Sequence, residues 1–197
     1  MQGMIALEIG ILAVGWLRYV RKKDPECQLR MDKRVYSYII IYCITGGFWI
    51  ECFLKYRAWY GQMACGVLAA YLLVAAIQDM QCCEVYDILH ILAVPSGLLL
   101  LKETDGRQLL SLLMFIILQF VLFMRLYGEA DGYAFLVCAI YESNGNGGFI
   151  TYLLHMASAF MLLAVVQGIK HNIAGNGNLR KPVPFLPYIA TTVWPFL

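Results

Sequence analysis

Charged residues are scarce in this sequence. Only 14% of its 197 residues are Asp, Glu, Lys or Arg, whereas a soluble domain averages about 25%. Apolar residues make up 61% of the chain, which places it outside the ordinary globular class. The formal net charge of +2 is too small to indicate a nucleic-acid partner.

Regularly spaced cysteines are also missing. The chain has 7 cysteines but no Cys-x-x-Cys pair, so the sequence predicts neither a zinc site nor a disulfide framework. Most of the cysteines lie in apolar runs, where they serve as small hydrophobic residues. No metal ion or organic cofactor is expected.

Long apolar runs are what the chain does contain. Several approach the roughly 20 residues that a helix needs to cross a bilayer. We expect an all-α integral membrane protein, a polytopic bundle of about eight (six to eight) helices in a single domain over 1–197. Its functional core is expected at about 60–197. The predicted spans are roughly 4–20, 35–54, 60–78, 85–101, 108–126, 131–142, 148–169 and 185–197. The runs at 131–142 and 185–197 are too short to cross a core of ~30 Å unaided.

Basic residues indicate the orientation of these spans. With the N-terminus outside, only four of the 15 lysine and arginine residues fall on the outer side: Lys55, Arg57, Lys102 and Arg107. This asymmetry is typical of a chain whose basic loops stay in the cytoplasm. The first run carries Glu8 near its start and basic residues after it, the reverse of a secretory signal, so we expect a retained anchor.

Two acidic clusters interrupt the basic pattern on the cytoplasmic side. Asp79 ends the third predicted span, and Glu84 and Asp87 follow it. Glu129 and Asp131 open the sixth predicted span. Ionisable groups at membrane depth cost about 2.5–3.5 kcal/mol each, so they are functional candidates. Because an even number of spans separates Asp79 from Asp131, we expect the two carboxylates to lie at the same face and to meet.

A pair of aspartates at the partly dehydrated edge of a membrane has a recognised chemistry. The two cannot both ionise easily, so they share a proton. One can then activate water while the other protonates a carbonyl oxygen, as in an aspartic protease. The structural alternative is that these residues are helix caps, with Asp131 capping the helix that follows it.

Three separated motifs carry a family resemblance. Asp79 is followed several residues later by Val85, Tyr86 and Asp87. The second motif is Gly128, Glu129, Ala130 and Asp131, and the third is Pro184, Phe185, Leu186 and Pro187. In this order, and on one side of the membrane, they resemble the motifs of the type IV prepilin peptidases, which are bacterial membrane aspartic proteases with a GxGD motif.

The resemblance implies a function and a location. It implies Asp79 and Asp131 as catalytic residues, with the remaining motif residues around the substrate. The negative charges of Glu84, Asp87 and Glu129 would suit a basic leader. The substrates would be the leader peptides of prepilins or pseudopilins, cleaved at the cytoplasmic face of the bacterial inner membrane. The loop after the first span resembles a shortened form of the family's zinc-binding loop. It retains only Cys27, so we expect no N-methyltransferase activity.

The sequence departs from the family at three positions and leaves alternatives open. Ala130 replaces the second glycine, Tyr86 replaces a proline, and Tyr133 stands where a lysine is usual. One alternative is a catalytically degenerate membrane component of a pilus or type II secretion system. A second is a proton-relaying, transporter-like bundle. For His90 and His155 we expect buried side chains bonded to neighbouring carbonyl groups, in preference to haem ligands.

Overall fold

The structure is a computed structural model that describes residues 3–23, 29–54, 58–144, 148–174 and 183–197. Lys55, Arg57 and Cys27, together with the basic residues Arg180 and Lys181, lie outside the described residues. The predicted loop positions at 145–147 lie outside them as well.

Within these ranges all of the regular secondary structure is helical, with no strand. Each of the eight predicted spans corresponds to one α-helix, so the all-α prediction is confirmed. The helices are α1 (Met4–Lys23), α2 (Lys33–Phe53), α3 (Trp59–Cys82), α4 (Asp87–Leu100), α5 (Gly106–Val121), α6 (Glu129–Glu142), α7 (Phe149–Ala174) and α8 (Leu186–Thr192). Short 3-10 turns follow α4, α5 and α8.

Helix α3 is the centre of the bundle. Every residue from Leu68 to Gln78 is buried, and the helix packs against α1, α2, α4, α6 and α8. Its middle is built from apolar and small residues on all sides, which is typical of a helix enclosed by other helices. The polar Asp79 follows directly after this enclosed stretch and is half-buried.

Four helices are long and apolar enough to cross a membrane: α2, α3, α7, and α5 together with the turn that continues it to Arg125. Apart from α3, these helices turn large apolar side chains outward, among them Phe48, Leu113 and Met161. An exposed apolar surface of this extent is typical of helices that contact lipid.

The remaining helices are not both long enough and apolar enough to cross a membrane by the same measure. Helices α4 and α6 have 14 residues each, and α8 has 7. At 1.5 Å per residue, α6 is about 21 Å long and α8 about 10 Å, so neither spans a core of ~30 Å alone. The 20-residue α1 is not among the four. The prediction that these runs are short is therefore confirmed for α6 and α8.

Small residues bring α1 and α2 into close contact at one point. A Cβ atom on Gly47 would lie 2.7 Å from Ala6 Cβ and 2.8 Å from the Ala6 backbone nitrogen, so only glycine fits there. The neighbouring Gly46 makes room for the Trp194 ring. Gly10 and Gly15 of α1 have no such crowding.

Candidate active site

Asp79 connects two helices that are distant in the sequence. It lies in the last turn of α3, and its Oδ2 accepts a hydrogen bond of 2.9 Å from the backbone N–H of Leu186. Leu186 is the first residue of α8, whose N–H has no partner within its own helix. The bond therefore joins the first and third motifs of the sequence, and the side chain of Asp79 does not act as a cap of its own helix.

Asp131 approaches the same place from a third helix. It lies in the first turn of α6, is half-buried, and interacts electrostatically with Asp79. Gly128 is the N-cap of α6 and receives no side-chain hydrogen bond, so Asp131 is not the cap of this helix. The structure thus brings the two predicted catalytic carboxylates together, and the capping alternative is wrong for Asp131.

Three further acids lie in the turn after α3 and at the starts of α4 and α6. Glu84, Asp87 and Glu129 are exposed. Asp87 is the first residue of α4, and its charge acts on His90. Asp79 acts electrostatically on Asp131. This arrangement favours Asp79 over Asp87 as the partner of Asp131.

The third motif forms the start of α8 and packs against the site. Phe185 is buried at the N-cap position. The centroid of its ring lies 5.9 Å from that of Phe135 in α6 and 4.7 Å from that of Phe160 in α7. Pro184 precedes the helix, and Pro187 occupies its first turn, where a missing N–H costs no helical hydrogen bond. These contacts fix the position of the Leu186 amide that binds Asp79.

Two departures from the family motif leave the backbone unstrained. Ala130 lies inside the first turn of α6, where alanine is the most favourable residue. Tyr86 has φ −72°, which is the value that a proline ring would impose. Gly128 has φ −61°, so its conformation does not require glycine either. The replacements at 86 and 130 therefore preserve the local geometry.

His90 forms a hydrogen-bonded pair with a tyrosine of the central helix. Its Nδ1 lies 2.6 Å from the Tyr71 hydroxyl, and both side chains are buried. The ring of Tyr133 packs on His90 with centroids 5.5 Å apart. The expectation of a buried, hydrogen-bonded histidine is confirmed, but the partner is a side-chain hydroxyl and not a carbonyl group.

The sequence did not predict a second buried pair between α6 and α7. His155 Nδ1 lies 2.5 Å from Glu142 Oε1, and each residue is only 1% exposed. The expected carbonyl partner of His155 is therefore a carboxylate. Glu142 ends the predicted span 131–142 and is the last residue of α6. Its place in the chain was therefore predicted, whereas its contact with His155 was not.

We predict that the Glu142–His155 pair stabilises the bundle and takes no part in chemistry. Glu142→Leu should lower the free energy of unfolding by about 3–5 kcal/mol, because His155 loses its partner while it stays buried. The double variant Glu142→Leu/His155→Leu should recover most of that loss. Thermal unfolding in detergent measures both. A double variant no more stable than Glu142→Leu would contradict the pairing.

No other ligand chemistry is evident at the site. Among the described residues, no group of three or more His, Cys, Asp or Glu side chains could hold a metal ion. The chain matches no protein-family model, no curated protein and no solved structure. The functional argument therefore depends on the residues themselves and on the contacts between them.

Proposed function

We propose that this protein is a membrane aspartic endopeptidase of the prepilin peptidase type, with Asp79 and Asp131 as its catalytic pair. The observation that carries the proposal is the electrostatic interaction between these two half-buried carboxylates, which come from different helices. The hydrogen bond from the Leu186 amide to Asp79 is a second support, because it joins the first and third motifs of the resemblance.

The proposed reaction is hydrolysis of a peptide bond. With one shared proton, the ionised carboxylate takes a proton from water as the water oxygen attacks the carbonyl carbon. The protonated carboxyl donates its proton to the carbonyl oxygen. As the tetrahedral intermediate collapses, a proton passes to the leaving nitrogen and the C–N bond breaks. The products are a carboxylic acid and an amine, and the pair again holds one proton.

The proposed substrate is the leader of a prepilin or pseudopilin. Such leaders are short and basic and precede an apolar helix. The exposed carboxylates of Glu84, Asp87 and Glu129 give the site a negative field that suits a basic leader. No methyl transfer to the new N-terminus is proposed, since the loop after α1 offers one cysteine.

The first prediction concerns the pair itself. Asp79→Asn and Asp131→Asn should each lower the cleavage rate by roughly 10²–10⁴-fold or more, because each removes an acid–base group. The measurement is cleavage of a precursor with a basic leader by purified protein in liposomes. Asp87→Asn is the matched control and should retain most of the activity. An inactive Asp87→Asn beside an active Asp79→Asn would reverse the assignment of the first aspartate.

A non-catalytic membrane component of a pilus or secretion system is a second candidate. The observation that favours it is the Asp79–Leu186 hydrogen bond, which gives Asp79 a structural role. Asparagine can still accept this bond, whereas alanine cannot. If Asp79 is only structural, Asp79→Asn should have the same thermal stability as the unmodified protein, and Asp79→Ala should be less stable. If Asp79 is catalytic, both variants should be inactive.

The proposed setting is the bacterial inner membrane, with the N-terminus outside and the aspartate pair at the cytoplasmic face. One observation weighs against the cytoplasmic side. Cys82, three residues after Asp79, is disulfide-bonded, and disulfides are rare in a reducing cytoplasm. The side of the membrane therefore requires a direct test.

Two exposed free thiols provide that test. Cys52 lies at the end of α2 and Cys83 at the end of α3, so they mark opposite ends of consecutive helices. In variants that retain one of them as the sole cysteine, a membrane-impermeant maleimide should label Cys52 in intact spheroplasts. Cys83 should be labelled only in inverted vesicles. The reverse pattern would place the aspartates outside the cytoplasm.

A further inference from the structure

Tyr127 lies immediately before the second motif and is bonded to the preceding helix. It precedes Gly128, the N-cap of α6, and its hydroxyl donates a hydrogen bond to Gln119 Oε1 in α5. Gln119 has no exposed surface, so the packing around it holds the acceptor oxygen in place. The bond therefore fixes the point at which the chain enters α6, four residues before Asp131.

The ring of Tyr127 is linked to the other half of the site through two phenylalanines. Its centroid lies 5.8 Å from that of Phe135 in α6 and 5.6 Å from that of Phe160 in α7. Both of these rings also pack against Phe185, the residue before the amide that binds Asp79. One side chain is thus connected by packing to the elements that hold both aspartates.

The Tyr127 hydroxyl is a hydrogen-bond donor throughout the pH range in which an aspartate pair works. Burial raises the pKa of the Tyr127 phenol, and the charge of Asp131 raises it as well. The phenol therefore keeps its proton, and its bond to Gln119, while the pair titrates. Because Tyr127 exchanges no proton in this range, its effect on the chemistry passes through the position of Asp131.

We propose that Tyr127 is a positioning residue of the aspartate pair, and that its bond to Gln119 sets the separation between Asp79 and Asp131. The inference rests on the proposed peptidase function. Like charges that lie close together cannot both ionise easily, so their separation determines how far apart the two apparent pKa values of the pair lie. A pair that is held close shares one proton over a wide pH range, and a looser pair does so over a narrower one.

Tyr127→Phe tests the bond, because it removes the hydroxyl and keeps the ring contacts. The measurement is the pH profile of kcat/KM for precursor cleavage by the full chain in liposomes. We expect the alkaline limb to move to lower pH by about 1 unit, since a closely held like charge is what raises the second apparent pKa of the pair. Gln119→Leu should give the same shift, and the double variant Tyr127→Phe/Gln119→Leu should shift the limb no further.

Tyr141→Phe is the matched control. Tyr141 is a buried tyrosine of the same helix, and its hydroxyl donates a hydrogen bond of 2.7 Å to the Ala93 carbonyl. It lies at the end of α6 that is remote from Asp131. Its loss should lower the midpoint of thermal unfolding in detergent, as should Tyr127→Phe, but leave the alkaline limb in place. An unshifted limb in Tyr127→Phe, or an equal shift in Tyr141→Phe, would overturn the inference.

The same experiment separates this inference from the function on which it rests. Other charged or titratable side chains at this end of the bundle are exposed and are unchanged in these variants: Glu84, Asp87, Arg125, Glu129, Lys170 and His171. If the unmodified protein cleaves no precursor, the peptidase function fails and the positioning role fails with it. If the unmodified protein cleaves with a bell-shaped profile that Tyr127→Phe leaves unchanged, the positioning role fails alone.

Discussion

The hydrogen bond from the Leu186 amide to Asp79 is the contact on which the arrangement of the site depends. It holds the start of α8 against the end of α3, although 107 residues separate the two partners. Phe185 is thereby packed against α6 and α7. Asp131 enters from α6 beside the same carboxylate. Without this bond, the start of α8 would lose its polar link to Asp79, and the first and third motifs would be held together by the packing of buried residues such as Ile189 alone.

The sequence was sufficient to predict the helices and the aspartate pair. Apolar runs separated by polar turns predict membrane helices well, and acids such as Asp79 and Asp131 are conspicuous among apolar neighbours. It was not sufficient for contacts that depend on packing. The Leu186 amide leaves no mark in a sequence, because every residue except proline has one. The Glu142–His155 contact was missed for a related reason: a predicted span gives the position of each residue along the chain but not the side chain that it faces across the bundle.

The polar groups of the bundle fall into two kinds. Glu84, Asp87 and Glu129 are exposed at the end of the bundle that holds the aspartate pair, where their charges cost little. Glu142 and His155 are enclosed between α6 and α7 and bond each other, as buried polar groups must. His90 is likewise buried, with its Nδ1 bonded to the Tyr71 hydroxyl. Among the described residues, His90 Nε2, His155 Nε2 and Glu142 Oε2 have no hydrogen-bond partner.

The pH dependence of precursor cleavage tests the central claim most directly, because an aspartate pair must hold one shared proton to work. At low pH both carboxyls are protonated and neither can activate water. At high pH both are ionised and neither can protonate the carbonyl oxygen. The account predicts a bell-shaped profile of kcat/KM whose two limbs belong to the pair, and which Asp87→Asn leaves in place. A rate that rises steadily with pH to a plateau, or that survives in Asp131→Asn, would contradict it.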